Sequence, residues 1–445
     1  MAEIKDMTEG NPTRLMIRFA LPMLLANVLQ LMYTVADSAV LGRLLGVNAF
    51  ASVGATAGFH WLVLSAVMAF THGFGTVFAQ RFGAKDMDGL RRAFVTAVYL
   101  AAALGTLIGI SGTLGCAPVL RLLNTPPELL DGAAVYLRFL LGGMVITLMY
   151  NLLGGLLRAL GDSKTPLHAM IFSTILNIVL DIALAVPFGI AGIAAATLSA
   201  QAAACIYCLA ALRKTGVLKG CGYRWDSGSA AALMRLGLPL CLRNAVIELG
   251  GLAVQRYTNN YGAEFIAGVA AAKRMYSLLM VAGGAVEASV ATFIAQNFGA
   301  ERYDRVRHGV KDGLRLMLIS AAVIMAVVLP FGRHILSLLV EGEPEQIAAV
   351  LDAGARQLTL MALGLPVVYL LFLYRSALQG IGNTFIPMLS GFLEMLMRLI
   401  SVFLLTPVWG EWGVYLSDPL GWPPAAALLL ISYIVVFKKY RGVLE

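Results

Sequence analysis

The chain has 445 residues, of which 59% are hydrophobic and only 13% charged, with a mean hydropathy of +0.80. Soluble globular chains carry roughly 25% charged residues, so about half the charge needed to cover a soluble surface is missing and a soluble protein is excluded. The net charge of +8 raises nucleic acid as a partner, but the basic residues lie in short connections between apolar runs, and no nucleic-acid surface is expected.

A spanning helix needs about 20 largely apolar residues. Twelve such spans are predicted, over 14–42, 48–78, 91–116, 130–157, 165–187, 190–212, 235–260, 264–296, 312–339, 350–379, 384–407 and 420–438. Several are long enough to imply tilt, kinks or extension beyond the bilayer. The leading MAEIKDMTEGNPTR is polar, with no small-residue cleavage site, and no removable signal peptide is expected.

Span 1 carries Pro22 and, deep in its apolar run, Asp37. Span 2 holds His72 and leads into AQRFGAKDMDGLRR (79–92), with Arg81, Lys85, Arg91 and Arg92. Span 4 ends in LRALGDSKTP (157–166), with Arg158 and Lys164. Span 5 contains NIVLDIAL, in which Asn177 and Asp181 are four residues apart and share a helix face. Thr197 and Ser199 lie in span 6, followed by Cys205 and Cys208; the CIYC spacing would suit a redox or metal pair, but inside a spanning helix it reads as two small apolar residues. No Cys/His cluster offers four ligands to a structural zinc. The connection after span 6 is the longest polar one and holds Arg213, Lys214, Lys219 and Arg224.

In the second half, Pro239, Arg243 and Glu248 lie in span 7, and Lys273, Arg274 and Glu287 in span 8. The next connection is basic at Arg302, Arg305, Arg307 and Lys311. Arg375 ends span 10. Glu394 and Arg398, four apart on span 11, are expected to form an internal ion pair that removes the cost of both charges. Lys438, Lys439 and Arg441 close the chain, whereas VEGEPEQ (340–346) and EWGVYLSD (411–418) are acidic. Basic residues thus fall in alternate connections, the positive-inside pattern, which predicts a multi-pass cell-membrane protein with both termini cytoplasmic.

The chain also repeats itself. RFALPMLLANVL (18–29) aligns with RLGLPLCLRNAV (235–246), AQRFGAKDMDGLRR with AQNFGAERYDRVRH (295–308), and LRALGDSKTP with LQGIGNTFIP (378–387), at offsets of 217, 216 and 221. Six spans per copy is an even number, so the copies enter the membrane in one orientation, as parallel repeats about an axis along the membrane normal. The expected fold is an all-α membrane protein of twelve transmembrane helices in two six-helix lobes related by a pseudo-two-fold axis. The lobes are predicted at 1–212 and 235–445, joined by a cytoplasmic linker at 213–234, with a central cleft that opens on alternate sides.

Ionisable groups inside a bilayer are costly and mark pathways by default. At 1.5 Å per residue, Asp37 lies roughly 33 Å along span 1, with Asn177 and Asp181 about 18 and 24 Å along span 5. Thr197 and Ser199 lie roughly 10 to 14 Å from the outer end of span 6. All converge on the outer half of the first lobe. Two carboxylates there do not both ionise cheaply, so one is expected to hold a proton; alternatively, Na+ takes oxygens from Asp37, Asn177, Asp181 and a hydroxyl. The structural alternatives are that Asp37 caps a break near Gly42, Asn177 bonds a neighbouring helix and the hydroxyls bond their own backbone. Glu248, about 20 Å deep, is a candidate second-lobe cation or substrate group, or a partner of Arg243. Lys273 and Arg274 are expected to pair, with Glu248 or Glu287, while His72, Glu287 and Arg375 fall near cytoplasmic helix ends. Pro22 and Pro239, at equivalent repeat positions, permit helix kinks.

The stretches NPTRLMIRFALPMLLANVLQLMYTVADSAVLGRLLG, AQRFGAKD, LRALGDSKTP, NIVLDIAL and AQNFGAER resemble the multidrug and toxic compound extrusion (MATE) family over essentially the whole chain. The resemblance implies cofactor-free secondary active efflux of organic cations or other amphipathic compounds, driven by H+ or Na+. It also implies a first-lobe cation site with an Asp on helix 1 and Asn-x-x-x-Asp on helix 5, positions that fall on Asp37, Asn177 and Asp181. The Asp that some members carry on helix 10 is absent from LPVVYLLFLYRSALQG (365–380). A flippase for a lipid-linked saccharide or lipid precursor shares the architecture, but needs more basic residues for a diphosphate than Lys273 and Arg274. A channel needs a symmetric pore or charged ring. For a membrane enzyme there is no nucleophile–base set, and LGDSKT lacks P-loop spacing. The expected partners are cationic amphipathic small molecules and the lipid bilayer, and the expected state is a monomer.

Overall fold

A bilayer offers no water to unpaired backbone groups, so long apolar runs must close their hydrogen bonds within helices. The computed structural model describes residues 4–220, 222–340 and 343–441, and among them it contains helices and turns but no strand. Cys221 of the predicted linker, Glu341 and Gly342 of the acidic connection, the last four residues of the predicted second lobe, and the side chains of Lys439 and Arg441 lie outside this description.

Helix α1 (Pro12–Gly83) has 72 residues, or about 108 Å at 1.5 Å per residue, far more than one crossing needs. It is two helices joined at Gly46, whose φ of 81° suits a residue without a Cβ. Helices α2 (Met87–Leu122), α3 (Pro127–Gly142) and α4 (Met144–Ala159) follow. Helix α5 (Lys164–Thr215) is again double, broken at Gly189 with φ 59°. Both breaks fall where spans 1 and 2, and spans 5 and 6, are predicted to separate. Then come α6 (Ser227–Thr258), α7 (Ala263–Gly299), α8 (Tyr303–Ser337), α9 (Pro344–Leu363), α10 (Leu365–Gly380) and α11 (Phe385–Ile400). A π-helical turn (Ser401–Leu405), two single turns, α12 (Thr406–Trp409) and α13 (Trp412–Tyr415), and α14 (Ser417–Arg441) complete the chain.

Eight helices are long and apolar enough to cross a membrane, and two bent pairs raise that to ten. Because α1 and α5 each hold two crossings, the described residues supply twelve.

The kinks expected of long spans include two at positions the sequence does not single out. The fourth span is split into α3 and α4 at 47°, and the tenth into α9 and α10 at 48°. A glycine sits at each. A Cβ on Gly143 would lie 2.3 Å from the Leu198 side chain, and one on Gly364 would lie 2.3 Å from the Trp422 ring. Gly143 and Gly364 are 221 residues apart, so the repeat has placed the same notch in both copies.

The residues divide into two compact units: Met1–Glu9 with Leu21–Cys241, and Gly10–Ala20 with Leu242–Glu445. The chain therefore changes unit next to Pro22 in α1 and just after Pro239 in α6. The backbone is helical through both prolines, and the non-helical residue inside α1 is Gly46. Within unit 1, α1 crosses the start of α6 at two glycines; a Cβ on Gly73 would be 2.6 Å from the Gly237 Cα. Small residues allow this close backbone approach in membranes.

With α5 running to Thr215 and α6 starting at Ser227, the polar connection shrinks to 216–226, and unit 1 holds it firmly. Arg91 Nε donates to the Val217 carbonyl at 2.9 Å, the Tyr99 hydroxyl to the Tyr223 carbonyl at 2.9 Å, and Asp226 N–H to Thr96 Oγ1 at 3.2 Å.

Candidate functional site

In unit 1 a buried apolar cluster of Leu41, Tyr136, Leu140, Ala185, Ile193 and Ala194 packs against Leu45 and Ile190, the residues next to the breaks at Gly46 and Gly189. One helical turn before it stand the polar residues: Asp37 precedes Leu41, and Asp181 precedes Ala185. Asn177 lies a further turn back on the same face of α5. Asp181 is 0% and Asn177 1% exposed, while Asp37 is half-buried. The Asp37 and Asp181 carboxyl groups are neighbours, each within the other's field, and Tyr33 and Tyr136 feel both.

Five buried side-chain atoms here have no hydrogen-bond partner unless a proton joins the two carboxyls: Asp37 Oδ1, Asn177 Oδ1 and Nδ2, and both carboxyl oxygens of Asp181. Orphaned buried polar atoms cost about 1–3 kcal/mol each, and buried groups of this kind are paired in the great majority of proteins. Among the described residues no hydrogen bond joins the Asn177 amide to a neighbouring helix. Four of the five atoms are oxygens, a donor set that fits a proton shared between carboxyls or a hard cation.

Thr197 reaches the group only indirectly. Its Oγ1 donates to the Ile193 carbonyl at 3.2 Å and lies 3.5 Å from the Tyr33 hydroxyl. Ser199, expected beside it, is exposed; two residues advance a helix by about 200°, which turns Ser199 away from the face that Thr197 presents. Tyr33 was missed in the sequence although it lies one turn before Asp37 on the same face. Tyr136 carries no comparable signal, because its helix contributes no polar motif.

In unit 2 the expected pair of Glu394 with Arg398 does not form. Glu394 binds Arg375 of α10 at 2.5 Å, with both side chains buried, and Arg375 also approaches Ser390 Oγ at 3.4 Å. Arg398 instead donates to Asp418 of α14 at 2.7 Å and to the Ile247 carbonyl of α6 at 2.9 Å. The spacing rule describes an exposed helix surface, whereas a buried helix takes its partners from the helices packed on it. Lys273, expected beside Glu248 or Glu287, lies in the field of Asp418, and Arg274 is exposed. Arg243 donates twice to Asn244 Oδ1, at 3.1 and 2.9 Å. Its stem passes over Gly391, where a Cβ would be 2.6 Å from Arg243 Cγ. Glu248 is half-buried on α6, Glu287 faces the charges of Arg375 and Arg243, and His72 is exposed on α1.

Comparison with known proteins matches the chain twice to the family described as MatE, over residues 22–183 and 239–404. The matches start 217 residues apart, at Pro22 and Pro239, the offset of the internal repeat. The "Probable multidrug resistance protein YpnP" of Bacillus subtilis (strain 168) is 29% identical over 380 residues, covering 85% of this chain and 84% of its own. The "Probable multidrug resistance protein NorM" of Thermotoga maritima is 24% identical over 397 residues, covering 85% and 82%. Among solved structures, a MATE in the bent conformation superposes with a TM-score of 0.89 over 98% of each chain at 20% identity, a likeness of fold.

Proposed function

The chain belongs to the family described as MatE, and from that membership we propose that it is a secondary active multidrug efflux transporter of the cell membrane. It exports organic cations or amphipathic compounds by antiport with H+ or Na+, through alternating access of two lobes, 1–212 and 235–445, joined through 213–234, a cytoplasmic linker whose non-helical part is 216–226. It works as a monomer, without a cofactor or a chemical step on its substrate, and both termini are cytoplasmic.

The observation that carries this reading is the set of five orphaned atoms on Asp37, Asn177 and Asp181. A proton shared by the two carboxyls satisfies both and removes one of two like charges from a low-dielectric site. Its release leaves two carboxylates together, a state that favours a cationic substrate or a rearranged helix pair. A guest that binds one arrangement better than the other shifts the equilibrium between them, and that shift is the coupling. Na+ draws on the same oxygens. In the second lobe, Glu248 offers a further group for a cation or substrate.

The test is uptake of a fluorescent organic cation into proteoliposomes under an imposed pH gradient without sodium, then under a sodium gradient. Uptake under one gradient, lost in Asp181→Asn, supports the proposal and identifies the ion. No uptake under either gradient overturns it and moves a lipid-flippase function ahead.

A further inference from the structure

We propose that the connection between α5 and α6, pinned along α2, is a docking surface for anionic phospholipid headgroups of the cytoplasmic leaflet. The proposal rests on the membrane orientation given above, and it adds a lipid partner to the transport function.

The placement of the connection is the first argument. Its three hydrogen bonds to α2 climb that helix, from Arg91 through Thr96 to Tyr99. Tyr99 lies eight residues beyond Arg91, about 12 Å along the axis and inside the predicted membrane span. The chain at Tyr223 therefore lies at the level where α2 enters lipid, not out in the cytoplasm. Thr96 is fully buried under it.

The side chains there are the second argument. Tyr223 is 88% exposed, Trp225 53% and Tyr99 43%, and the Tyr99 and Trp225 rings are 6.4 Å apart. Two tyrosines and a tryptophan left open in one patch are poorly placed in water but suited to the membrane–water interface, where an apolar ring and a polar edge are both satisfied. Charge is the third. Arg92, Arg213, Lys214, Lys219 and Arg224 are exposed around the same connection; Arg92 lies in the field of Asp86 and Asp226, and the other four have no ion pair among the described residues. Its one acid, Asp226, accepts the Ser229 N–H at 2.8 Å and caps the start of α6. A fixed, basic and aromatic surface at lipid depth matches a phosphate-bearing headgroup: cations for the phosphate, rings for the boundary beneath it.

The full chain in nanodiscs of phosphatidylcholine is titrated with phosphatidylglycerol, and bound lipid is counted by native mass spectrometry. Wild type should prefer phosphatidylglycerol at least about 25-fold, the gain of two basic residues near an anionic surface. Lys219→Ser with Arg224→Ser should weaken that binding about 25-fold by the same reckoning, whereas Lys311→Ser, in α8 and away from this connection, should leave it unchanged. As a second measurement, brominated phosphatidylglycerol should quench the emission component that disappears in Trp225→Phe. Equal binding of the two lipids, a double variant that binds like wild type, or a Trp225 component that is not quenched overturns the proposal. So does recovery of a protein rather than lipid on a photoreactive Trp225 replacement. These readouts do not depend on drug uptake, so failure of the transport reading and of this one are distinguishable.

Discussion

Glu394 finds its counter-charge on another helix: Arg375 of α10 lies 2.5 Å away, with both side chains sealed from solvent, while Arg398 one turn along α11 is bound to Asp418. A pair so deeply buried stabilises the fold less than the cost of breaking it suggests. Removing one partner leaves an uncompensated charge, worth about 3–5 kcal/mol, whereas replacing both with apolar residues of similar volume is often neutral or better. Arg375→Met and Glu394→Leu should each lower the thermal unfolding temperature in detergent, and the double variant should recover most of the loss. Additive losses would show that the two residues do not act as a pair.

The two carboxylates of unit 1 lead to a different expectation. Asp37→Asn and Asp181→Asn should abolish ion-driven uptake, since each removes an ionisable oxygen pair from the orphaned group. Thr197→Val and Tyr33→Phe should lower uptake only in part, because they touch one another at 3.5 Å rather than the carboxyls. Ser199→Ala should transport like wild type, being exposed on the opposite side of its helix. The series is read as initial uptake rates at equal protein density. Loss of uptake in Ser199→Ala with activity intact in Asp181→Asn would place the coupling site elsewhere.

These contrasts show what the sequence makes legible. Twelve crossings, the doubled chain and the meeting of Asp37 with Asp181 are all readable, because a bilayer imposes helix length and charge cost residue by residue. The partners of Glu394 and Arg398 are not, since a buried side chain is claimed by helices distant in sequence, and spacing on one helix cannot name them. The bends at Gly143 and Gly364 are hidden for a related reason. A glycine in an apolar run looks like ordinary close packing until Leu198 or Trp422 is seen in the space it leaves.

Glycines in α1 provide a matched test of packing. Gly73 lies against Gly237, where a methyl group would meet backbone at 2.6 Å, while a Cβ on Gly58 would meet nothing within 4 Å. Gly73→Ala should destabilise by about 1–3 kcal/mol through overpacking. Gly58→Ala should instead stabilise by about 0.5–1 kcal/mol, the ordinary gain of alanine in a helix. Thermal unfolding of the purified variants measures both, and equal shifts of one sign would show that the glycine crossing does not set the packing of unit 1.

The loop between α1 and α2 supplies a pH dependence outside the membrane. Asp86 caps α2: its Oδ1 accepts the Gly89 N–H at 2.8 Å, and its other oxygen meets Arg81 at 2.5 Å. The Gly89 hydrogen bond first, and Arg81 after it, hold the carboxyl below the usual carboxylate range. A depressed carboxylate stabilises fully above its unfolded value of about 3.9 and loses that contribution as pH falls through its lower folded value. The repeat puts Arg302 at the equivalent place before α8, which has no side-chain cap. Acid should therefore loosen the start of α2 and leave the start of α8 unchanged. An N-cap is worth about 1 kcal/mol, so hydrogen-exchange protection at Gly89, corrected for intrinsic rates, should fall about fivefold on acidification. Asp86→Asn should keep the protection, since Asn caps as well as Asp, but lose its pH dependence. Equal acid sensitivity in Asp86→Asn would assign the effect to another group.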